Sequence, residues 1–282
     1  FIFNLIYLFL MSSQDINPKI EFTYPKKSKT VTLNGTDYLQ SQDPIGKFGG
    51  EVILSIFGEG PKTFNPFTSK DATSSQMAGM MFDGLFTTDA KTGEVIPKLA
   101  KGYEITGNNY FVYLRKGVKW SDGKPITADD VVFTWNNIIF AGLGNTSLRD
   151  SCRIDGKLPT VTKIDDYTVK FTISKPFAPF LRQLSAEIAP KHVFEDAVKK
   201  GAKYFDGFYS TTTPPSKFVT SGAFKLQEYI PAQRIIFTRN PNYYEINTKN
   251  EKLPYLDKVV YLIVGDANNE ILKFEAKEID VI

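Results

Sequence analysis

One cysteine and one histidine stand among the 282 residues, and that scarcity excludes several kinds of chemistry at once. Cys152 alone closes no disulfide within the chain, so cysteine use does not report on the redox compartment. A thiol nucleophile needs a base beside it. No sequence pattern links Cys152 to His192, the single histidine. A zinc site wants Cys and His at paired spacings, which one of each cannot supply. No metal and no cofactor is expected. Charge of one sign is also missing as a block. The 34 Lys and Arg interleave with 31 Asp and Glu, for a net charge of +3. Nucleic-acid-binding domains concentrate their basic residues in a stripe. The longest local cluster here, Lys26-Lys27-Ser28-Lys29, lies in a polar stretch and reads as solvated. No nucleic-acid partner is expected. Long apolar runs are scarce too. Only Phe1–Met11 is nearly continuous, broken by Asn4, and it is too short for a comfortable membrane span.

What is present is ordinary globular composition, with 42% hydrophobic and 23% charged residues. Disorder and coiled coil are poor fits to that balance. The length suggests two domains or one large one, with room for a sizeable core. Phe1–Met11 has the length of a signal-peptide apolar region, and Ser12, Ser13, Gln14 and Asp15 follow it. No initiating Met or basic segment precedes it, so a buried strand or helix of a larger protein stands as the other reading. Ser12 to about Lys47 carries Pro18, Pro25, Gly35, Pro44 and Gly46 and reads as tail and linker.

Regular structure is expected after Gly49-Gly50. Val52, Leu54 and Ile56 alternate with Glu51, Ile53 and Ser55, as in a largely buried strand. Thr73 or Ser74 is the expected cap of a helix carrying Met77, Met80 and Met81 as core filling. Tyr110–Arg115 reads as a strand. Thr127-Ala128-Asp129-Asp130 has the form of a capping box, so the adjacent carboxylates serve a helix terminus rather than acid–base chemistry. Val132, Trp135, Ile138 and Ile139 continue on one helical face. Further strands are expected over Tyr167–Ile173, Arg234–Thr238 and Val259–Val264, and a helix over Asn268–Lys277 with Ile271, Leu272 and Phe274 on or near its apolar side. Gly58–Thr63 fails the spacing of a phosphate loop, and Pro61 removes a backbone donor. The many carboxylates leave a glycosidase-type hydrolase formally open, and no motif favours it.

Several segments, in order, resemble the bacterial extracellular solute-binding proteins of family 5, the oligopeptide- and dipeptide-binding group. They are Lys62-Thr63-Phe64-Asn65-Pro66, Phe82-Asp83-Gly84-Leu85-Phe86, Thr92–Pro97 with Leu99-Ala100, and the long block Tyr113–Val131. Ser221–Phe224, Arg239–Tyr244, Leu253–Leu256 and Glu278–Val281 follow. The resemblance covers about Gly49 to Ile282. It implies an α/β fold, a periplasmic-binding-protein-like two-lobed clamp with an extra domain inserted in the first lobe. On that pattern 1–13 is a partial signal peptide, 14–48 a polar linker, 49–82 the first part of lobe I, 83–190 the inserted domain and 191–282 the continuation of lobe I. Only lobe I and the inserted domain are then present, with the chain truncated at both ends and expected to aggregate.

The resemblance further implies a non-enzymatic, monomeric, periplasmic receptor. It would capture peptides and hand them to ABC-transporter permease subunits. Nickel complexes, haem, sugars or opines are the alternative ligands within the family, and a secreted hydrolase is the alternative outside it. The family binds peptide backbone along strand-like edges lining the cleft. The matching edge is Lys70-Asp71-Ala72. Lys70 stands where a peptide-binding member can carry an acidic residue, which leaves the ligand class open.

Overall fold

A computed structural model describes residues 28–281. The signal-peptide reading of Phe1–Met11 falls outside them. Strands β1 (Thr30–Leu33) and β2 (Thr36–Gln40) form an antiparallel hairpin. Its turn is Asn34-Gly35, both at positive φ, as a two-residue hairpin turn requires. This corrects the expectation that regular structure begins only after Gly50. The missed signal is Asn-Gly between two short β-rich runs, lost among the prolines and lysines around it.

The hairpin is anchored rather than free. Its β2 edge pairs in parallel with β12 (Glu245–Ile246). Asp37 accepts from Thr32 Oγ1 at 2.7 Å, Lys101 Nζ at 3.3 Å and the Lys116 N–H at 3.2 Å. Arg115, 1% exposed, donates to the Lys98 carbonyl at 2.6 Å, to Thr30 Oγ1 at 3.0 Å and to Ser28 Oγ. A buried guanidinium that donates from all three of its nitrogens is a fixed point between segments far apart in sequence.

Two four-stranded sheets organise the rest. In the first, β10 (Phe224–Ile230), β11 (Arg234–Arg239), β13 (Lys258–Val264) and β3 (Glu51–Phe57) lie in that order, antiparallel except for the parallel pair of β13 and β3. In the second, β6 (Ala100–Thr106), β7 (Asn109–Leu114), β9 (Thr168–Thr172) and β8 (Thr160–Asp165) form an antiparallel sheet, beside the hairpin of β4 (Phe86–Thr88) and β5 (Val95–Pro97). Strand β3, before residue 83, thus shares a sheet with β10, β11 and β13, after residue 190, and the chain between them builds another. β3 is less buried than its alternation suggests. It lies at the sheet edge, so Val52 to Ser55 are half-buried and Phe57 is exposed.

Helix α1 (Ala72–Met81) buries Met77 and Met81 and half-buries Met80. Helix α2 (Ala128–Phe133) runs into a π-helical turn, Thr134–Ile139. Short helices follow: α3 (Ser147–Ser151), α4 (Phe180–Gln183), α5 (Lys191–Lys199) and α6 (Ala202–Asp206). The last is α7 (Ala267–Glu275). Asp130 earns its place in α2 by more than capping. Its carboxylate accepts from the Thr127 N–H at 3.0 Å, Trp120 Nε1 at 3.4 Å and the Lys191 N–H at 2.9 Å, joining three segments. Trp120, Trp135, Phe171 and Phe180 fill the interior of a single continuous core that reaches both large sheets. Among the described residues no helix is long and apolar enough to cross a membrane.

Candidate functional site

The loop from Phe64 to Ser69 is held from two sides. Asn65, fully buried, donates through Nδ2 to the carbonyls of Phe205 at 3.3 Å and Phe208 at 3.1 Å, and its Oδ1 accepts from the Phe67 N–H at 3.0 Å. From the other side Asn145 donates its N–H to the Phe67 carbonyl at 2.7 Å and its Nδ2 to the Ser69 carbonyl at 2.9 Å. Gly144 permits that approach. A Cβ there would meet the Phe67 carbonyl oxygen at 2.3 Å, and its φ is +67°.

The expected edge Lys70-Asp71-Ala72 leaves this loop. Lys70 is exposed and has no ion-pair partner among the described residues. Asp71 is extended, and its Oδ1 accepts the Ser74 N–H at 2.8 Å. It is therefore the N-cap of α1, in place of Thr73 or Ser74. Ala72 is already the first helical residue, so the strand-like edge ends at Asp71. Ser74 instead turns inward and accepts the Lys62 N–H at 2.9 Å.

Beside this loop lies a cavity of about 230 Å³ lined by Pro66, Phe67, Leu143, Asn145 and Glu187, among others. Glu187 also lines a second cavity of about 340 Å³, with Gly79, Asp83, Thr87, Lys98 and Ser185. Backbone pairing brings these walls together. Glu187 forms an isolated antiparallel bridge with Gly84, and the Ile188 N–H donates to the Asp83 carbonyl at 3.0 Å. A Cβ on Gly84 would lie 2.2 Å from the Ser185 carbonyl oxygen, so the contact requires glycine.

An ion cluster backs the second cavity. Lys98 Nζ is bonded to Glu245, donates to Tyr243 Oη at 2.8 Å and lies 3.9 Å from Asp83. Tyr244 Oη donates to Asp83 Oδ2 at 2.9 Å, and Tyr243 Oη donates to Glu245 at 2.8 Å. Burial pushes the Asp83 carboxyl up to about 6, and Lys98 at that distance does not restore it. Burial also raises Glu187, with Asp83 adding to the effect. For Lys98, the carboxylates of Asp83 and Glu245 outweigh the opposing effect of burial and hold the ammonium above its ordinary range. Asp83, Lys98, Ser185 and Glu187 were not legible as site residues. Their one sequence signal is polarity within apolar runs, as in Phe82-Asp83-Gly84-Leu85 and Pro97-Lys98-Leu99.

The remaining chemistry-bearing side chains are engaged elsewhere. His192 Nε2 is 2.8 Å from Asp122 Oδ2, with no hydroxyl or thiol in that bond. Cys152 is buried, which pushes its thiol up to about 12, far from a thiolate nucleophile. A larger cavity of about 510 Å³ lies against α5 and α6, lined by Lys203, Tyr204, Phe208, Tyr209 and Lys217.

Known proteins share this fold. A probable ABC transporter-binding protein of Deinococcus radiodurans is 34% identical over 238 residues, covering 82% of this chain and 40% of the relative. The oligopeptide-binding protein AppA of Bacillus subtilis, solved with a nonapeptide, superposes with a TM-score of 0.69 at 30% identity, over 83% of this chain and 44% of that one. MelB of Agrobacterium fabrum, solved with stachyose, gives a TM-score of 0.73 at 25% identity, over 86% and 39%. The chain thus spans about two fifths of the length of these proteins. Residues 94–282 match the family described as bacterial extracellular solute-binding proteins, family 5 Middle. With its periplasmic-binding-protein-like α/β fold, this chain belongs to the bacterial extracellular solute-binding proteins of family 5.

Proposed function

We propose that the chain is part of the substrate-binding component of an ABC importer, a receptor that captures oligopeptides or dipeptides outside the inner membrane and delivers them to the permease. The superposition on the nonapeptide complex of AppA carries this reading, because it joins a shared fold to a bound ligand of stated class. The loop Ser69–Asp71, with Lys70 exposed, and the two cavities that share Glu187 are the ligand-facing surface. Lys70, Asp71 and Ala72 offer main-chain groups to an extended ligand. Residues 49–82 and 191–282 belong to one lobe and 83–190 to a domain inserted in it. Capture works by closure of a second lobe, which a ligand drives only through tighter contacts in the closed state. The receptor is monomeric and periplasmic and returns its ligand unchanged.

The stachyose complex of MelB supports a second reading in which the ligand is a sugar. Native mass spectrometry of the gently purified protein separates the two. Mixed peptides of similar length are expected. One non-peptide mass keeps the receptor and replaces its substrate. Peptide turnover would sink the receptor reading.

A further inference from the structure

The cavity of about 510 Å³ against α5 and α6 falls in the size range of small-molecule pockets. It has no lining residue in common with the two cavities that share Glu187, so the ligand-facing surface described above does not account for it. Its floor is fixed. Tyr209, 1% exposed, donates from Oη to the Lys217 carbonyl at 3.3 Å and accepts the Val219 N–H at 2.8 Å. The Phe208 ring stacks on Tyr209 with centroids 4.6 Å apart and planes 13° apart. The backbone under these rings is pinned as well, since the Phe64 N–H donates to the Tyr209 carbonyl at 3.0 Å and Asn65 Nδ2 to the Phe208 carbonyl at 3.1 Å. A wall already held in place leaves a ligand little ordering to impose.

Two ammonium groups and no carboxylate line this cavity. Lys203 and Lys217 are exposed, and neither ammonium has a partner among the described residues. Their neighbours are committed: Lys199 pairs with Glu195 at 3.3 Å and Lys200 with Asp196 at 2.7 Å. Asp206, the carboxylate of α6, neither lines the cavity nor pairs with Lys203. An aromatic ring stands at the same place. Tyr204 is 47% exposed, although Phe205 beside it is fully buried and alone anchors α6 in the core. Lys200 Nζ lies 4.6 Å from the Tyr204 ring centroid, and the Phe208 ring lies 6.5 Å from it at 29°. Flat apolar surface thus adjoins unpaired positive charge. A sugar would need many hydroxyl partners. With Tyr209 Oη committed, the lining has only the Thr213 and Tyr204 hydroxyls to give.

We propose that this cavity is a second binding site, for a small aromatic acid. The flat ring of the ligand lies against Tyr204 and Phe208, and its carboxylate meets the ammonium groups of Lys203 and Lys217. The rings supply apolar area and stacking, and the lysines select an anion over a neutral molecule of the same shape. The site goes beyond the receptor reading and does not depend on it.

Three probes test it on the purified protein. Indole-3-acetate carries ring and charge, indole-3-acetamide the ring alone, and glucuronate the charge without an aromatic ring. Two solvent-exposed ion contacts predict that calorimetry finds the indole acid bound about fivefold more tightly than its amide. That preference should shrink as salt is added, and glucuronate should bind more weakly than either. The double variant Lys203→Gln with Lys217→Gln is expected to bring the acid to the affinity of the amide, whereas Lys203→Arg with Lys217→Arg keeps the preference. Tyr204→Ala should weaken acid and amide alike. All three substituted side chains are exposed, so Tm should stay near that of the parent, which separates loss of the site from loss of the fold. Equal binding of acid and amide, a preference that survives in the double Gln variant, glucuronate bound as tightly as the indole acid, or no binding of any probe each overturns the site. None of these outcomes turns on whether the chain captures peptides.

Discussion

Asp83 is held between opposing influences, and its titration is the measurable result. Its side chain is 12% exposed, the nearest cation is 3.9 Å away, and burial pushes it up to about 6 from an ordinary 3.8. Between those two values the folded chain binds more protons at this site than the unfolded chain. Its contribution to stability therefore falls as pH rises through that window and stays low above it. Urea titrations of the parent chain and Asp83→Asn across pH 4 to 7 should show the parent losing stability relative to the variant as pH rises. A constant difference would mean that Asp83 titrates normally. Gly84, one residue on, is a steric rather than an electrostatic constraint. Gly84→Ala places a methyl against the Ser185 carbonyl at 2.2 Å. The backbone must part, at a cost of about 3 kcal/mol by analogy with overpacked cores. A thermal melt within a degree of the parent would show that the two segments separate freely.

At the scale of elements, α1 depends on one side chain for its start. Asp71 Oδ1 satisfies the Ser74 N–H, and replacing such a cap with Ala costs about 1 kcal/mol. Asp71→Asn preserves the cap, because Asn is as good an N-cap as Asp. The pair of variants separates two roles. Asp71→Ala should lower the denaturation midpoint and Asp71→Asn should not. A loss of ligand affinity in the Asn variant at unchanged stability would show that the carboxylate itself touches ligand. Capping at Thr127 was readable because Asp130 falls three residues later, the spacing that closes back on the Thr127 N–H. Capping by Asp71 was less readable because Asp71, Thr73 and Ser74 are all competent caps. Ser74 lost that competition because its hydroxyl is drawn into the Lys62 and Thr63 backbone.

At the scale of the whole molecule, the two ends of the described chain differ. The hairpin β1–β2, expected as linker, is sewn to both sheets' neighbours through Asp37, Arg115 and β12. By contrast α7, expected to bury its apolar side, leaves Ile271 at 45%, Leu272 at 64% and Phe274 at 41% exposed. Phe57 on the β3 edge is 51% exposed as well. Apolar surface of this kind promotes association. The 282-residue chain on its own should therefore scatter light at concentrations where Leu272→Lys with Phe274→Lys does not, with little change in Tm. Equal scattering by both would place the sticky surface elsewhere.

The sequence by itself determined the class of the fold and most of its elements. Alternation over Thr168–Thr172, the branched and aromatic run Arg234–Thr238, and helical spacing after Thr127 are local signals that hold whatever the partner segment. The order of short motifs carried the family. The site was another matter. Lys70, Asp71 and Ala72 were visible because an edge is contiguous in sequence, and the structure then gave Asp71 to a helix cap. Glu187, Ser185, Asp83 and Lys98 lie about a hundred residues apart at the extremes, and each alone is an ordinary polar residue. Only the tertiary structure decided that the Gly84–Glu187 bridge would face them into one cavity, since burial and the pairing of charges are properties of assembled segments and no local pattern encodes them.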